Sequence, residues 1–180
     1  MKKRVLFVCL GNICRSPAAE GVFLHLLEQS QACDRFVVDS AGTGSWHVGK
    51  AADARMRAAA SRRGIHLASK ARQLERADLN RFDHILTMDA SNLSQVQALV
   101  QEAGGSSVAR IEPLLSYRSR FDLSEVPDPY YGGAEGFEHV LDLLEDACSG
   151  LLQAIDDETP SAVADQASSG TLWRNRSTRA

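Results

Sequence analysis

Two side chains near the start of the chain, Cys9 and Arg15, could together bind a phosphate group and attack it. A cysteine thiolate is a strong nucleophile. A guanidinium group donates two parallel hydrogen bonds to phosphate oxygens, which the ammonium group of lysine cannot do. A cysteine and an arginine with five residues between them also occur by chance, as a buried strand residue and a surface helix residue. The interpretation therefore depends on the elements that would position them.

The residues on either side predict a strand, a tight loop and a helix. Residues 4–10 form a largely apolar run, which is typical of a strand buried on both faces. Ser16 and Pro17 favour a helix start, with Ser16 as the capping residue. A helix N-terminus offers unpaired N–H groups and a positive dipole, and Gly11 would let the loop curl so that its N–H groups point inward. The sequence therefore predicts a phosphate-binding loop with Cys9 below the phosphorus atom.

The rest of the chain alternates between predicted strands and helices. Further strands are expected at residues 36–40, 83–88 and 108–111, and helices at 16–29, 50–63, 89–101 and 134–155. This alternation predicts an α/β fold with a parallel sheet and helices on both faces. We expect one domain over residues 1–156. The composition then shifts to Asp, Ser, Thr, Ala and Gln, which predicts a flexible tail over residues 157–180.

The composition of the whole chain excludes several classes of protein. The net charge of -3 indicates no affinity for nucleic acid, and the apolar runs are too short to span a membrane, so we expect a cytoplasmic protein. The four cysteines are too few and too scattered for the disulfide framework of a secreted protein. They also lack the second compact Cys/His pair of a zinc site, so we expect no metal.

The segment from Val8 to Pro17, VCLGNICRSP, resembles the signature of the low-molecular-weight protein tyrosine phosphatases. The resemblance covers roughly residues 4 to 155 and extends through Asp39–Thr43, Trp46, Ala71–Gln73, Met88–Asp89 with Asn92, and Asp128–Tyr130. It implies a four-stranded parallel sheet of flavodoxin-like order, with neither a metal nor an organic cofactor. The implied activity is hydrolysis of phosphotyrosine proteins or small aryl phosphates through a phosphocysteine intermediate. We expect a monomer or a weak dimer.

The resemblance also implies a role for each matching residue. Cys9 resembles the nucleophile, Arg15 the phosphate clamp and Asp128 the general acid. The residues that resemble supports of the loop or parts of the substrate site are Leu10, Gly11, Asn12, Ile13, Cys14, Ser16, Ser40, Trp46, Tyr130 and Tyr131. Among these, Asn12 and Ser40 would shape the loop, Ser16 would hydrogen-bond the thiolate, and the aromatic residues would grip the substrate ring. Ser69 stands where some members of the family have a histidine that supports the loop asparagine.

Three of these assignments also have support from chemistry, and each has an ordinary alternative. Asp128 precedes a proline in a loop, and a phenolate leaving group needs a proton donor, but an Asp-Pro pair also makes simple turns. Cys14 is close enough to Cys9 along a curled loop to form a reversible disulfide, or it is a passive loop residue. Trp46 and Tyr130 are either the walls of a substrate slot or ordinary half-buried aromatics.

Three other functions stay open at this point. A thiol-dependent arsenate reductase would need relay cysteines, which would be expected around residues 79–90, where none occurs. A phosphoarginine phosphatase is a second alternative, against which Ile13 and the Tyr130–Tyr131 pair favour an aromatic ester. A catalytically idle phosphotyrosine-binding module is the third, and the joint presence of Cys9, Arg15 and Asp128 argues against it.

Overall fold

The computed structural model describes residues 1–158, so all but the first two residues of the predicted tail lie outside the described part. Its four strands form one parallel sheet: β1 (Lys3–Cys9), β2 (Phe36–Gly42), β3 (His84–Thr87) and β4 (Arg110–Pro113). Their spatial order is β2-β1-β3-β4, which confirms the predicted parallel sheet and its flavodoxin-like order. The first strand is central, pairing with β2 on one side and β3 on the other.

Five helices cover the two faces of this sheet. They are α1 (Arg15–Gln29), α2 (Ala54–Arg62), α3 (Asp78–Arg81), α4 (Ala90–Glu102) and α5 (Ala134–Asp157). Because side chains alternate along a strand, Val5 and Phe7 of β1 pack with α1, α2 and α5, whereas Leu6 and Val8 pack with α3 and α4. Both faces of β1 are therefore buried, as its apolar sequence predicts.

Several predicted boundaries are wrong by a few residues, each for a local reason. The first helix begins at Arg15 and not after Ser16, which leaves the Ser16 hydroxyl available for contacts inside the loop. The second begins at Ala54 and not at residue 50, because Asp53 caps it and residue 51 still pairs with residue 70. The fourth strand begins at Arg110 and not at residue 108. The single turn of α3 was missed because four polar-rich residues carry no apolar period.

The order of the strands places the residues after β1 at the point where the chain changes direction across the sheet. Connections from the carboxyl ends of β1 and β3 diverge there, which in parallel sheets opens a crevice for ligands. The loop between β1 and α1 lies in this crevice. Within residues 1–158, no helix is both long and apolar enough to cross a membrane, and no group of three side chains could hold a metal ion.

Candidate active site

A pocket of about 300 Å³ lies at the carboxyl edge of the sheet. It is lined by Cys9, Leu10, Gly11, Ile13, Cys14, Arg15, Trp46, His47, Asp128, Tyr130 and Tyr131. The fold therefore brings to one place every predicted site residue except Asn12, Ser16 and Ser40, which lie behind the pocket wall. We call residues 9–16 the phosphate loop and residues 118–133, which lead into α5, the acid loop.

Asn12 is the buried centre of the phosphate loop. Its backbone has a φ of 54°, the left-handed region that asparagine tolerates better than most residues. Its side-chain oxygen accepts a hydrogen bond from the Arg72 N–H at 2.9 Å, and its Nδ2 donates to Ser16 Oγ at 2.8 Å and Ser40 Oγ at 3.0 Å. With all three contacts made, the amide group is satisfied without a histidine at residue 69.

The support continues outward from Ser40 to Glu20. The Ser40 hydroxyl donates to Glu20 Oε2 at 2.6 Å, and Ser69 also hydrogen-bonds this carboxyl group. Burial raises the pKa of Glu20 above its ordinary value, although both serine hydrogen bonds act in the opposite direction. Ser69 thus contacts Glu20 at the outer end of the network.

The sulfur of Cys9 lies at the inner surface of the loop. It accepts a hydrogen bond from the Asn12 backbone N–H at 3.3 Å and lies 3.0 Å from Ser16 Oγ. Ser16 Oγ accepts from the Asn12 amide, so its own hydrogen is free to point at the sulfur, which is closer than its other acceptor, Ala41 O at 3.4 Å. Hydrogen bonds directed at a sulfur stabilise its thiolate form.

The glycines at the phosphate loop provide space for close packing and do not adopt an unusual backbone angle. Gly11 was expected to let the loop curl, but the left-handed residue is Asn12. A Cβ at Gly11 would lie 3.0 Å from the ring of His47, which packs there. A Cβ at Gly42, the last residue of β2, would lie 2.8 Å from the Leu10 carbonyl oxygen. Gly42 therefore needs to lack a side chain for the loop to pack closely, whereas a side chain at Gly11 would require the His47 ring to shift.

The Arg15 guanidinium group is buried between the two loops. Its Nη1 donates to Asp89 at 2.6 Å and to the Val126 carbonyl at 3.2 Å, and its Nη2 donates to Asp128 at 3.3 Å. Burial alone would lower the pKa of Arg15, but the negative groups at Cys9, Asp89 and Asp128 raise it above its ordinary value. The group therefore carries a fixed positive charge directly beside the Cys9 sulfur.

The acid loop forms the other side of the pocket and is more open. The Asp128 side chain is 45% exposed, and its Oδ1 accepts from the Tyr130 backbone N–H at 3.1 Å. The Tyr130 and Tyr131 rings meet edge to face with centroids 4.9 Å apart. Trp46 is also exposed and lines the opposite rim. A carboxyl group thus stands among aromatic rings at the mouth of a pocket with a thiol at its base.

A family model described as low molecular weight phosphotyrosine protein phosphatase matches residues 4–161. The chain belongs to this family. A putative low molecular weight protein-tyrosine-phosphatase of Synechocystis is 46% identical over 86% of this chain and 98% of its own length. A solved protein tyrosine phosphatase from Entamoeba histolytica superposes with a TM-score of 0.82 at 39% identity, covering 87% of this chain and 99% of that one. An arginine phosphatase of Drosophila superposes with a TM-score of 0.80 at 35% identity, covering 86% and 98%.

Several residues of this family member contribute to the site without having been singled out from the sequence. Asp89 was quoted within a motif without a role beside Arg15, yet it makes the shortest contact with Arg15. Its position after β3, at the same sheet edge as Cys9, was the available signal. His47 was not singled out either, but it lines the pocket together with Trp46. Glu20 and the backbone of Arg72 act through Asn12 and Ser40, and no short-range pattern could have identified them.

Proposed function

We propose that this protein is a phosphotyrosine phosphatase that hydrolyses aryl phosphomonoesters through a phosphocysteine intermediate at Cys9. One observation carries the proposal: the Cys9 sulfur, which receives hydrogen bonds within the phosphate loop, lines the same pocket as the Arg15 guanidinium group and the Asp128 carboxyl group. A nucleophile and a proton donor on opposite sides of a bound phosphate are what an in-line displacement requires.

In the first step, the Cys9 thiolate forms a bond to phosphorus while the bond from phosphorus to the phenolic oxygen breaks. Asp128 gives its proton to that oxygen, so that a neutral phenol leaves. Three of the five N–H donors of Arg15 are used by protein acceptors, and its Nε donates to no protein atom within residues 1–158. The Nε and the remaining Nη2 hydrogen are available to bind two phosphate oxygens side by side.

In the second step, water attacks the phosphorus of phosphocysteine and the sulfur leaves as a thiolate. Asp128, now ionised, takes the proton of the attacking water, which returns it to its starting form. Ser16 and the Asn12 N–H favour departure because they hydrogen-bond the thiolate that forms. One carboxyl group thus serves as acid and then as base.

The test compares turnover of phosphotyrosine, phosphoserine and phosphoarginine peptides, followed by trapping of the intermediate. We expect phosphotyrosine to be hydrolysed fastest, and a rapid acid quench to leave phosphate on Cys9, detectable by mass spectrometry. Cys9→Ser should lose turnover but still bind inorganic phosphate, since Arg15 and the loop N–H groups remain. A Cys9→Ser protein with near-native turnover would exclude the covalent mechanism.

A phosphoarginine phosphatase is a second candidate, because the superposed Drosophila protein is an arginine phosphatase. The apolar Ile13 and the aromatic rim of Trp46, Tyr130 and Tyr131 favour a substrate ring over a charged guanidinium chain. Faster turnover of the phosphoarginine peptide would decide for this candidate.

The arsenate reductase alternative is the weakest, because its disulfide relay needs cysteines near Cys9. Cys148 is buried where α5 packs on α1, and its sulfur contacts the Ala19 carbonyl. Cys33 is exposed, in a single turn before β2. Cys14 lines the pocket with Cys9, whereas Cys33 and Cys148 do not.

We propose that the Cys9–Cys14 pair makes the enzyme sensitive to oxidation. We also propose that the enzyme works in the cytoplasm as a monomer or weak dimer.

A further inference from the structure

The tip of the acid loop is held in place by few contacts. Between Val126 and Gly133, the hydrogen bonds within the loop are from the Tyr130 N–H to Asp128 and from the Gly132 N–H to the Pro129 carbonyl. Neither connects this tip to the rest of the protein, which reaches it through the 3.3 Å hydrogen bond from Arg15 Nη2 to Asp128. That bond does not involve Tyr130, so the position of the Tyr130 ring, which forms one wall of the pocket, depends on contacts of its own side chain.

Arg55 makes such a contact from outside the pocket. Its guanidinium carbon lies 5.4 Å from the centroid of the Tyr130 ring, within the range of a cation–π interaction. The same group lies 4.7 Å from the ring centroid of Phe137, a buried residue in the first turn of α5. The planar guanidinium group thus connects the tip of a surface loop to a ring that is buried in the core.

Arg55 is itself fixed to the phosphate loop through Asp53. Its Nε and Nη2 donate to the two oxygens of Asp53 at 3.0 and 2.9 Å, a bidentate pair. The Asp53 backbone N–H in turn donates to the Ile13 carbonyl at 2.8 Å. A continuous set of contacts therefore runs from the phosphate loop through Asp53 and Arg55 to the aromatic wall on the acid loop.

We propose that Arg55 is a positioning residue that holds the Tyr130 ring in place against the substrate ring and thereby sets selectivity for aromatic esters. The proposal rests on the proposed phosphatase function, since it assigns a determinant of substrate choice to the same site. Arg55 does not line the pocket, so its proposed effect on the substrate ring passes through Tyr130. The cap of α2 does not depend on the Arg55 side chain, because Asp53 caps the helix by accepting from the Arg55 backbone N–H at 2.8 Å.

Arg55→Met tests this, because methionine keeps the apolar stem and removes the planar cation. An exposed cation–π contact corresponds to about a two- to fivefold change in an equilibrium constant. We expect KM for an aryl phosphate to rise by about that factor, with kcat and the inhibition constant of inorganic phosphate changed less than about twofold. Arg55→Lys should recover part of the loss, since the ammonium group keeps the charge without the plane. Arg62→Met, an exposed arginine of the same helix paired with Glu138, is the matched control and should match the wild type.

A double-mutant cycle shows whether the effect passes through the ring. The cost of Arg55→Met should persist in a Tyr130→Phe protein, which keeps an aromatic face, and disappear in Tyr130→Leu. An undiminished cost in Tyr130→Leu, or an equal loss of affinity for inorganic phosphate, would overturn the proposal.

Hydrogen exchange of the acid loop gives a readout that needs no activity. The Tyr130 and Gly132 amides should exchange faster in Arg55→Met than in Arg62→Met, because the loop tip has lost its side-chain anchor. Equal exchange in the two variants would overturn the positioning role. A wild-type protein that hydrolyses no aryl phosphate would contradict the proposed function alone, and the exchange comparison would still decide on Arg55.

Discussion

The phosphate loop and the acid loop face each other across one pocket, but they are held in different ways. The phosphate loop is buried and fixed by a compact polar network around Asn12, whose partners come from β2 and from the segment before α3. The acid loop is anchored at separate places along its length. Asp146 holds its start, and the Ala90 N–H donates to Glu125. Met88 and Arg15 hold Val126, Arg15 also donates to Asp128, and Arg55 contacts Tyr130.

This difference matches what each loop has to do. In the proposed mechanism, the phosphate loop presents a thiolate and several N–H groups with fixed geometry, which requires pre-organised donors that do not relax. The acid loop would admit a substrate ring, deliver one proton and release the phenol, which suits a segment whose tip has few anchors. We therefore expect damage to the phosphate loop to affect all substrates alike, and damage to the acid loop to depend on the leaving group.

The largest selective effect is expected from Asp128→Asn, which keeps the size of the side chain but removes its transferable proton. General acid catalysis is typically worth about 100- to 10,000-fold, so phosphotyrosine turnover should fall within that range. An activated aryl phosphate, whose phenol has a low pKa, should lose much less because its oxygen leaves unprotonated. In Asp128→Asn, the decrease in turnover on the basic side of the pH–rate profile should flatten. Equal losses on good and poor leaving groups would mean that Asp128 only shapes the loop.

In the phosphate loop, Asn12→Ala should cause a loss of activity that does not depend on the leaving group. The change leaves the Arg72 N–H without its acceptor, and an unpaired buried group costs about 1–3 kcal/mol. It also removes the hydrogen bonds to the hydroxyls of Ser16 and Ser40, each worth about 0.5–1.5 kcal/mol, although both hydroxyls keep their other partners. We expect urea unfolding to show a loss of about 2–5 kcal/mol, with activity falling by the same factor on all aryl phosphates. Asn12→Gly is the control, because it removes the same bonds without strain at the φ of 54°. A loss of activity that varies with the leaving group would contradict the comparison.

The contrast between the two loops also explains how much of each could be predicted from the sequence. The nucleophile, the clamp and the helix N-terminus of the phosphate loop lie within eight residues, so strand, loop and helix patterns place them together without tertiary information. Asp128 lies 113 residues beyond Arg15, and an Asp-Pro pair alone is no more than a turn signal. Resemblance to the family pointed to Asp128, and the structure places it in the lining of the pocket. The contacts of Asp89, Glu20 and Arg55 depend on tertiary packing, which leaves no short-range pattern.

The boundaries of helices show, on a smaller scale, that tertiary contacts leave no local pattern in the sequence. Ser16 followed by Pro17 is a good start signal for a helix, but the loop uses the serine hydroxyl for the Cys9 sulfur, and the helix begins at Arg15. A local propensity was overridden there by a functional contact. The fold class was predictable because it depends on many residues, each of which contributes a little to the pattern. The strand order came from the resemblance to the family.

A smaller effect is expected at the start of the acid loop, where Asp146 of α5 accepts hydrogen bonds from the Ser119 N–H at 2.9 Å, the Ser119 hydroxyl at 2.7 Å and the Arg120 N–H at 2.9 Å. Burial alone would raise the pKa of Asp146, but these bonds lower it to about 2. Because the folded pKa lies below the ordinary value, the stabilisation is present above about pH 4. It is lost as the pH falls through 2.

Asp146→Asn should therefore cost about 1.5–3 kcal/mol of unfolding free energy at pH 7, the range for hydrogen bonds to a charged group. The stability of the variant should also change less than that of the wild type between pH 4 and pH 2, as measured by thermal unfolding. Asp142→Asn, an exposed residue of the same helix paired with Arg63, should cost less than about 1 kcal/mol. Turnover should fall far less than in Asp128→Asn, and a comparable fall would show that the loop start, and not its tip, controls proton delivery.

The smallest effect on the activity of the resting enzyme is expected at Cys14. The rate at which Cys14 forms a disulfide with Cys9 is nevertheless the most informative measurement on the phosphate loop. Burial, followed by the negative charges of Asp53, Asp128 and Cys9, raises the pKa of the Cys14 thiol to about 12. Peroxide would convert the Cys9 thiolate to a sulfenic acid, releasing water after protonation. The Cys14 sulfur would then bond to the Cys9 sulfur, with its proton and the hydroxyl leaving as a second water. Since the attacking form is the thiolate, a raised pKa makes this second step slow at neutral pH.

We expect the rate of disulfide closure to rise about tenfold for each pH unit between pH 7 and pH 9, because the thiolate fraction rises by that factor well below the pKa. The rate is followed by quenching with an alkylating reagent and mass spectrometry. Asp53→Asn removes one of the charges that raise the pKa of Cys14 and should speed closure at pH 7. Cys14→Ser should instead carry Cys9 on to sulfinic acid, so that less activity returns with a reductant. Closure that does not depend on pH, or a Cys9 disulfide to Cys33 or Cys148, would show that the phosphate loop is less rigid than its hydrogen bonds indicate and would reopen the reductase alternative.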